Sequence, residues 1–133
     1  MTLEGLNEWI AALRSNKYEQ GQQYLHNDGK YCCLGVLCDI SGVGEWVEVD
    51  NSFYSFITDA AVEASEMLPD DLIDYPKWAL DADTQTELTK LNDGWQESED
   101  GAFNKVEPDQ NYKKVIEYLD TVVRKQIEVE VMV

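Results

Sequence analysis

Apolar residues near the start of the chain recur with the period of a helix. Leu6, Trp9, Ile10 and Leu13 fall at i, i+3, i+4 and i+7, a spacing that lays one apolar stripe along a helical face. Thr2 or Asn7 stands where a cap is needed, and Ser15-Asn16 ends the helix. The pattern then shortens. Tyr24-Leu25 and Tyr31-Cys32 flank Asn27-Asp28-Gly29, and Asp and Gly tolerate the positive φ of tight hairpins. Two short paired strands are expected there, with His26 at the tip. Cys33–Ile40 is almost continuously apolar, which means burial on most sides. Periodicity does not separate helix from strand in such a run. Gly42 favours a short helix, because it suits the left-handed position just past a helix end.

Beyond Gly42 the apolar positions alternate. Trp46-Val47-Glu48-Val49 reads as a half-exposed strand, and Phe53–Ile57 follows the Asn51-Ser52 turn as its partner. Residues 59–67 read as a short helix or an acidic loop, and Leu68–Ile73 as a helical turn with Pro69 at its first position. The pattern Thr84-x-x-Glu87 is a capping box that starts a helix through Leu88 and Leu91, stopped by Asn92-Asp93-Gly94. Residues 95–109 are expected to be a polar, acid-rich loop. A last helix begins near Pro108 and carries Tyr112, Val115, Ile116, Leu119, Val122 and Val123 on one face. Ile127, Val129, Val131 and Val133 then alternate with Glu128, Glu130 and Met132, which predicts a final strand. Such a strand would leave an exposed sheet edge and invite a homodimer through the C-terminal strand. The expected architecture is α+β: one domain over residues 1–133, a small antiparallel sheet with helices packed on one face.

Composition narrows the setting. The chain is 44% hydrophobic and 11% aromatic, enough apolar material for a core despite a net charge of −17. Eighteen acids against three bases leave residues 45–109 at −15. The segments before and after that window stand at −2 and zero. Such a surface repels nucleic-acid backbones and anionic membranes, so no direct nucleic acid and no membrane is expected as partner, while a basic protein is. No run of about 18 apolar residues occurs, so no transmembrane helix is expected. The N-terminal MTLEGLNEWIAAL has acids where a secretory leader needs bases. Cys32, Cys33 and Cys38 are an odd number crowded together, which fits reduced thiols in a cytoplasm better than a disulfide framework.

Cys33 is the first candidate for chemistry. A thiolate at a helix start is activated by the helix dipole, and a strand–Cys–helix arrangement is how papain-like hydrolases present their nucleophile. A catalytic base is also required, and the single histidine, His26, is expected to point away from Cys33. Three small buried apolar residues are the simpler reading. No metal site is expected: Cys33 and Cys38 would face different sides of a helix, and no second cysteine pair exists. An EF-hand register with Gly101 at position six puts Glu107 at twelve but Gln96 at one, where Asp is needed. Phosphate-binding glycine loops are absent and no cofactor is expected. Paired carboxylates such as Asp70-Asp71 and Glu99-Asp100 read as solvated faces. Trp46, Trp78 and Trp95 stand in or beside the acidic window. There they are either core or apolar anchors ringed by charge, with Trp95 expected to be exposed.

Several stretches together resemble a known family. Trp9-Ile10-Ala11-Ala12-Leu13-Arg14-Ser15, Tyr18-x-Gln20-Gly21 and Asp28-Gly29-Lys30-Tyr31-Cys32-Cys33-Leu34-Gly35-Val36-Leu37-Cys38-Asp39 are similar to the shared pattern of small uncharacterised bacteriophage and prophage proteins. Leu68-Pro69, Leu91-Asn92-Asp93-Gly94 and the helix at Tyr112–Asp120 match as well. Asn16 replaces the family's usual Gly, the loop after Gly94 is longer and more acidic, and the terminal IEVEVMV has no counterpart. The family carries no assigned activity, so the resemblance implies phage origin and, with it, a host cytoplasm. The resulting expectation is a non-enzymatic acidic binding protein acting on a host component, either by mimicking DNA charge or by engaging a basic host protein. A Cys33 hydrolase and a binder of a small ligand such as a nucleotide signal are the alternatives. Arg14, Tyr18 and Gln20 are candidates to line a pocket beside the central segment, with Asp39, Asn92 and Trp95 as further binding candidates.

Overall fold

Thr2 starts the first helix. Its Oγ1 accepts from the Gly5 amide at 3.0 Å, and α1 runs Leu3–Arg14 with Leu6, Trp9, Ile10 and Leu13 buried, as the spacing predicts. Asn7 does not cap; its Oδ1 accepts from Arg124 at 2.9 Å and ties α1 to the last helix. The computed structural model describes residues 1–132. The side chains of Gln96, Glu97, Phe103, Val131 and Met132 fall outside that description.

The expected hairpin forms nearer its turn, by two residues on the first strand and one on the second. Strands β1 (His26–Asn27) and β2 (Lys30–Tyr31) pair across Asp28-Gly29, whose φ values of 54° and 76° are those of a two-residue turn with both central residues left-handed. That turn forces Asn27 to face Lys30, so His26 is paired with Tyr31 and is not the tip. Cys32 then breaks from the ladder and α2 (Cys33–Ser41) begins, ending at Gly42 with φ 70°. The short buried helix is therefore as expected. Gly35 within it sits against the Leu25 backbone, and a Cβ there would collide with the Leu25 carbonyl oxygen.

Strands β3 (Gly44–Asp50) and β4 (Phe53–Thr58) form the predicted antiparallel pair. β1 joins β4 at Tyr54 and Phe53. Residues 59–67 are neither helix nor plain loop: β5 (Glu63–Ala64) folds back to pair with Phe56 and Ile57. Thr58 turns that corner, accepting the Val62 amide at 3.1 Å. The sheet order is thus β2-β1-β4-β3, with β5 on β4 beside β1. A 3₁₀ turn at Asp70–Asp74 follows Pro69.

The next helix, α3, spans Ala82–Asp93. It starts earlier than the capping box at Thr84 implies, because Asp81 is the cap. Its carboxylate accepts from the Thr84 amide and the Thr84 hydroxyl, both at 2.8 Å, and Thr84 is buried inside the first turn. Residues 95–109 are not a structureless loop. β6 (Trp95–Glu97) and β7 (Phe103–Lys105) make an antiparallel hairpin.

The largest correction concerns the end of the chain. Helix α4 (Lys113–Tyr118) continues through a π turn at Leu119–Val123 into α5 (Arg124–Met132), so the predicted terminal strand is helix. Val115, Leu119, Val123 and Ile127 are all buried and repeat every four residues. A strict four-residue repeat drifts about 40° per step around an α-helix, and the wider π turn takes up part of that drift. Burial therefore follows the four-residue period, and Val129 is 61% exposed. Val133 lies outside the described residues. With no terminal strand, the edge expected to build a homodimer is withdrawn. The whole is nonetheless the α+β class expected, a small antiparallel sheet flanked by α-helices in one domain.

Candidate functional site

The central segment is interior. Cys32, Cys33 and Cys38 are free and buried. Burial pushes the Cys32 thiol up to about 12 and holds Cys33 and Cys38 well above the ordinary value of 9.0. A neutral buried thiol is not a nucleophile. Cys33 Sγ lies 4.0 Å from the Leu88 carbonyl. His26, the alternative's required base, donates from Nδ1 to the Lys30 carbonyl at 3.0 Å, with its ring stacked between Tyr31 and Tyr54. The void beside Cys32 and Cys33 measures about 10 Å³, room for about one water and no substrate.

Gln20 and Asn92 meet, although 72 positions separate them. Asn92 is fully buried at the end of α3. Its Oδ1 accepts from the Cys33 amide at 3.1 Å and from Gln20 Nε2 at 2.9 Å. Its Nδ2 donates to the Gly21 carbonyl at 2.7 Å and to Asp93 at 2.9 Å. Asn92 thereby does the work of an N-cap for α2, since Cys32 makes no side-chain capping bond. Gln20 Oε1 accepts from the Tyr112 amide at 2.8 Å, and the Tyr112 hydroxyl donates to the Tyr31 carbonyl at 2.7 Å. Buried Asp109 accepts from the Lys114 and Val115 amides at 2.9 and 3.2 Å and so caps α4. Every group in this network has a partner inside the protein. It is a latch between α2, α3 and α4.

Tyr18 and Asp39 meet elsewhere. Asp39 projects from α2 at the surface, and its two oxygens accept from the Tyr18 hydroxyl at 2.5 Å and Trp46 Nε1 at 3.0 Å. Burial, then the bond to Asp39, raises the Tyr18 hydroxyl pKa, so it stays a donor. Around this carboxylate the sheet presents rings. His26 lies 3.9 Å from Tyr31 and 4.3 Å from Tyr54 between ring centres. Trp46 meets His26, Tyr31 and Phe56 edge-on, and Tyr18 meets Tyr31 in the same way.

Arg14 and Trp95 join neither group. Arg14 ends α1 in solvent. Trp95 is 43% exposed as expected and borders a depression of about 280 Å³ with Gln22, Gln23, Asp93, Lys105 and Pro108. Gln20 lines a depression with Glu19, Gln22, Pro108, Asp109, Gln110 and Asn111, so Arg14, Tyr18 and Gln20 do not share one. Sequence reasoning missed His26, Tyr31 and Tyr54 as the ring row that Trp46 joins. The signal was the β-strand alternation in Trp46-x-Glu48 and Tyr54-x-Phe56, which lacked a cross-strand register. Trp78 is core, 7% exposed. Among the described residues no group of three His, Cys, Asp or Glu side chains is placed to hold a metal. Ser98 and Asp100, both within the EF-hand register, bond to each other in the β6–β7 turn; the Gln96 side chain at its first position lies outside the described residues. Among the described residues no helix is long and apolar enough to cross a membrane.

A family model described as "Domain of unknown function (DUF8296)" matches residues 1–120. The chain belongs to the DUF8296 family. No curated protein and no solved structure matches it. The DUF8296 match takes in the cysteine helix, the Asn92 latch, the Asp39 cluster and the β6–β7 hairpin, and stops within the π turn.

Proposed function

We propose that this DUF8296 protein is a non-enzymatic binding protein of phage type whose acidic middle engages a basic protein of the host cytoplasm. The observation that carries the reading is where the charge lies. Glu45, Glu48, Asp50, Asp70, Asp74 and Asp83 are all exposed, inside the window of net −15. Two of the window's three bases are already paired: Lys77 with Glu8 at 2.6 Å and Glu4 at 3.3 Å, Lys90 with Glu87 at 3.2 Å. A field of one sign steers an oppositely charged partner and repels polyanions. The three free thiols support a reducing compartment, and the phage setting rests on the sequence resemblance.

The immobilised chain is exposed to bacterial lysate at about 0.05 M and about 0.5 M salt, concentrations that span weak to strong screening. A basic partner retained at low salt and released at high salt is expected. A variant carrying Glu45→Gln, Asp50→Asn, Asp70→Asn and Asp74→Asn should lose it. Retention that ignores both salt and the four substitutions, or no partner at all, refutes the proposal.

A further inference from the structure

The rings beside Asp39 form an ordered row, and the register explains why. Tyr31, His26, Tyr54 and Glu48 are direct cross-strand neighbours over β2, β1, β4 and β3, so their side chains share one face of the sheet. Trp46 and Phe56 form the next row on that face. Phe56 is buried, while Tyr31, Trp46 and Tyr54 are half-buried. Asp39, on α2, closes the side of this face and is held by two donors, both neutral.

An ionised carboxylate offers about four lone-pair sites, and Asp39 spends two of them on Tyr18 and Trp46. The remaining sites belong to an exposed group that no lysine, arginine or histidine neutralises among the described residues. Lys30 alternates to the other side of β2 from Tyr31, and it reaches Glu19 at 4.0 Å. Glu48 adds a second negative charge at the end of the ring row; it accepts the Ser52 amide at 3.1 Å. An oriented carboxylate flanked by half-buried aromatic rings matches a planar cation, which can bond in a fork and pack against a ring at once. A lysine ammonium fits the charge but not the plane.

We propose that Tyr18, Asp39 and Trp46, backed by the Tyr31–His26–Tyr54 row, form the anchor site for an arginine side chain of the basic partner. The assignment rests on the reading of the chain as an acidic binding protein and adds to it the residue type that docks and the place where it docks.

The test uses the full chain and a fluorescein-labelled peptide of alternating arginine and glycine, followed by anisotropy at low salt. The lysine counterpart of that peptide should bind several-fold more weakly. Asp39→Asn should weaken the arginine peptide about tenfold or more, the loss of one charge-assisted pair. Glu63→Gln removes the same charge from an exposed position in β5 and should cost less than about threefold. Equal, small losses for both variants overturn the anchor and leave the acidic-surface reading standing. No binding by the unaltered chain refutes both. If Asp39→Asn fails to fold, the unaltered chain still decides, through the Trp46 indole N–H resonance assigned by Trp46→Phe. That resonance must shift as peptide is added; if it stays still while others move, the anchor is wrong.

Discussion

Asn92→Ala is the sharpest test of how this fold is held together. The amide makes four hydrogen bonds from a fully buried position. Truncation strands the Cys33 N–H and the Gly21 carbonyl, both in buried residues. Each orphaned buried group costs about 1–3 kcal/mol. The space left adjoins the void of about 10 Å³ next to Cys33, and a water entering there recovers part of the loss. The expected net cost is about 3 kcal/mol, a large share of the 5–15 kcal/mol that holds an ordinary domain together. Asn92→Asp separates hydrogen bonding from volume. It leaves no cavity, but turns the donor into an oxygen facing the Gly21 carbonyl and the Asp93 carboxylate, so it should cost at least as much at pH 7. Urea unfolding followed by tryptophan fluorescence measures both, with the slope unchanged and the midpoint lowered. A loss under about 1 kcal/mol for Ala, or an Asp variant more stable than the Ala variant, would show that the latch is not structural.

The thiols predict an alkaline limit. Folded Cys32 titrates at about 12 against an ordinary 9.0, and Cys33 and Cys38 are also raised. The folded state therefore holds its protons while the unfolded state releases them. Stability from this source is complete below pH 9 and falls above it, by about 1.4 kcal/mol per pH unit for each thiol; urea midpoints that stay flat from pH 8 to 11 would contradict it. At pH 8 none of the three should react with a thiol reagent until urea unfolds the chain, and then all should react together; fast native labelling of Cys33 would revive the hydrolase reading. Gly35→Ala drives a methyl into the Leu25 carbonyl and should cost about 1–3 kcal/mol, with a cost near zero in urea unfolding refuting the close packing of α2 on β1's approach. Ile127→Ala, at 6% exposure, should cost about 2–3 kcal/mol. Val129→Ala, at 61% exposure, should cost under about 0.5 kcal/mol. A terminal strand would put both residues on one face and make the two losses similar.

The sequence by itself determined the elements whose signals are local. The α1 stripe, the Asp28-Gly29 turn, the Gly42 stop and the β3–β4 alternation all follow from side chains a few positions apart. It also determined that Cys33 lies in a continuous apolar run and that the charge crowds between residues 45 and 109. Where two local readings competed, only tertiary packing chose. Ile127–Val131 fits period two, but Ile127 also continues the four-residue stripe from Val115, and burial of that stripe won. Thr84 looks like a cap, yet it is carried inside the first turn by Asp81. The candidate binding residues divided for the same reason. Gln20 meets Asn92, and Tyr18 meets Asp39, because the docking of whole elements brings them together across 72 and 21 positions. Contacts at such separations depend on how whole elements dock, and a pattern read over one or two turns carries no term for that.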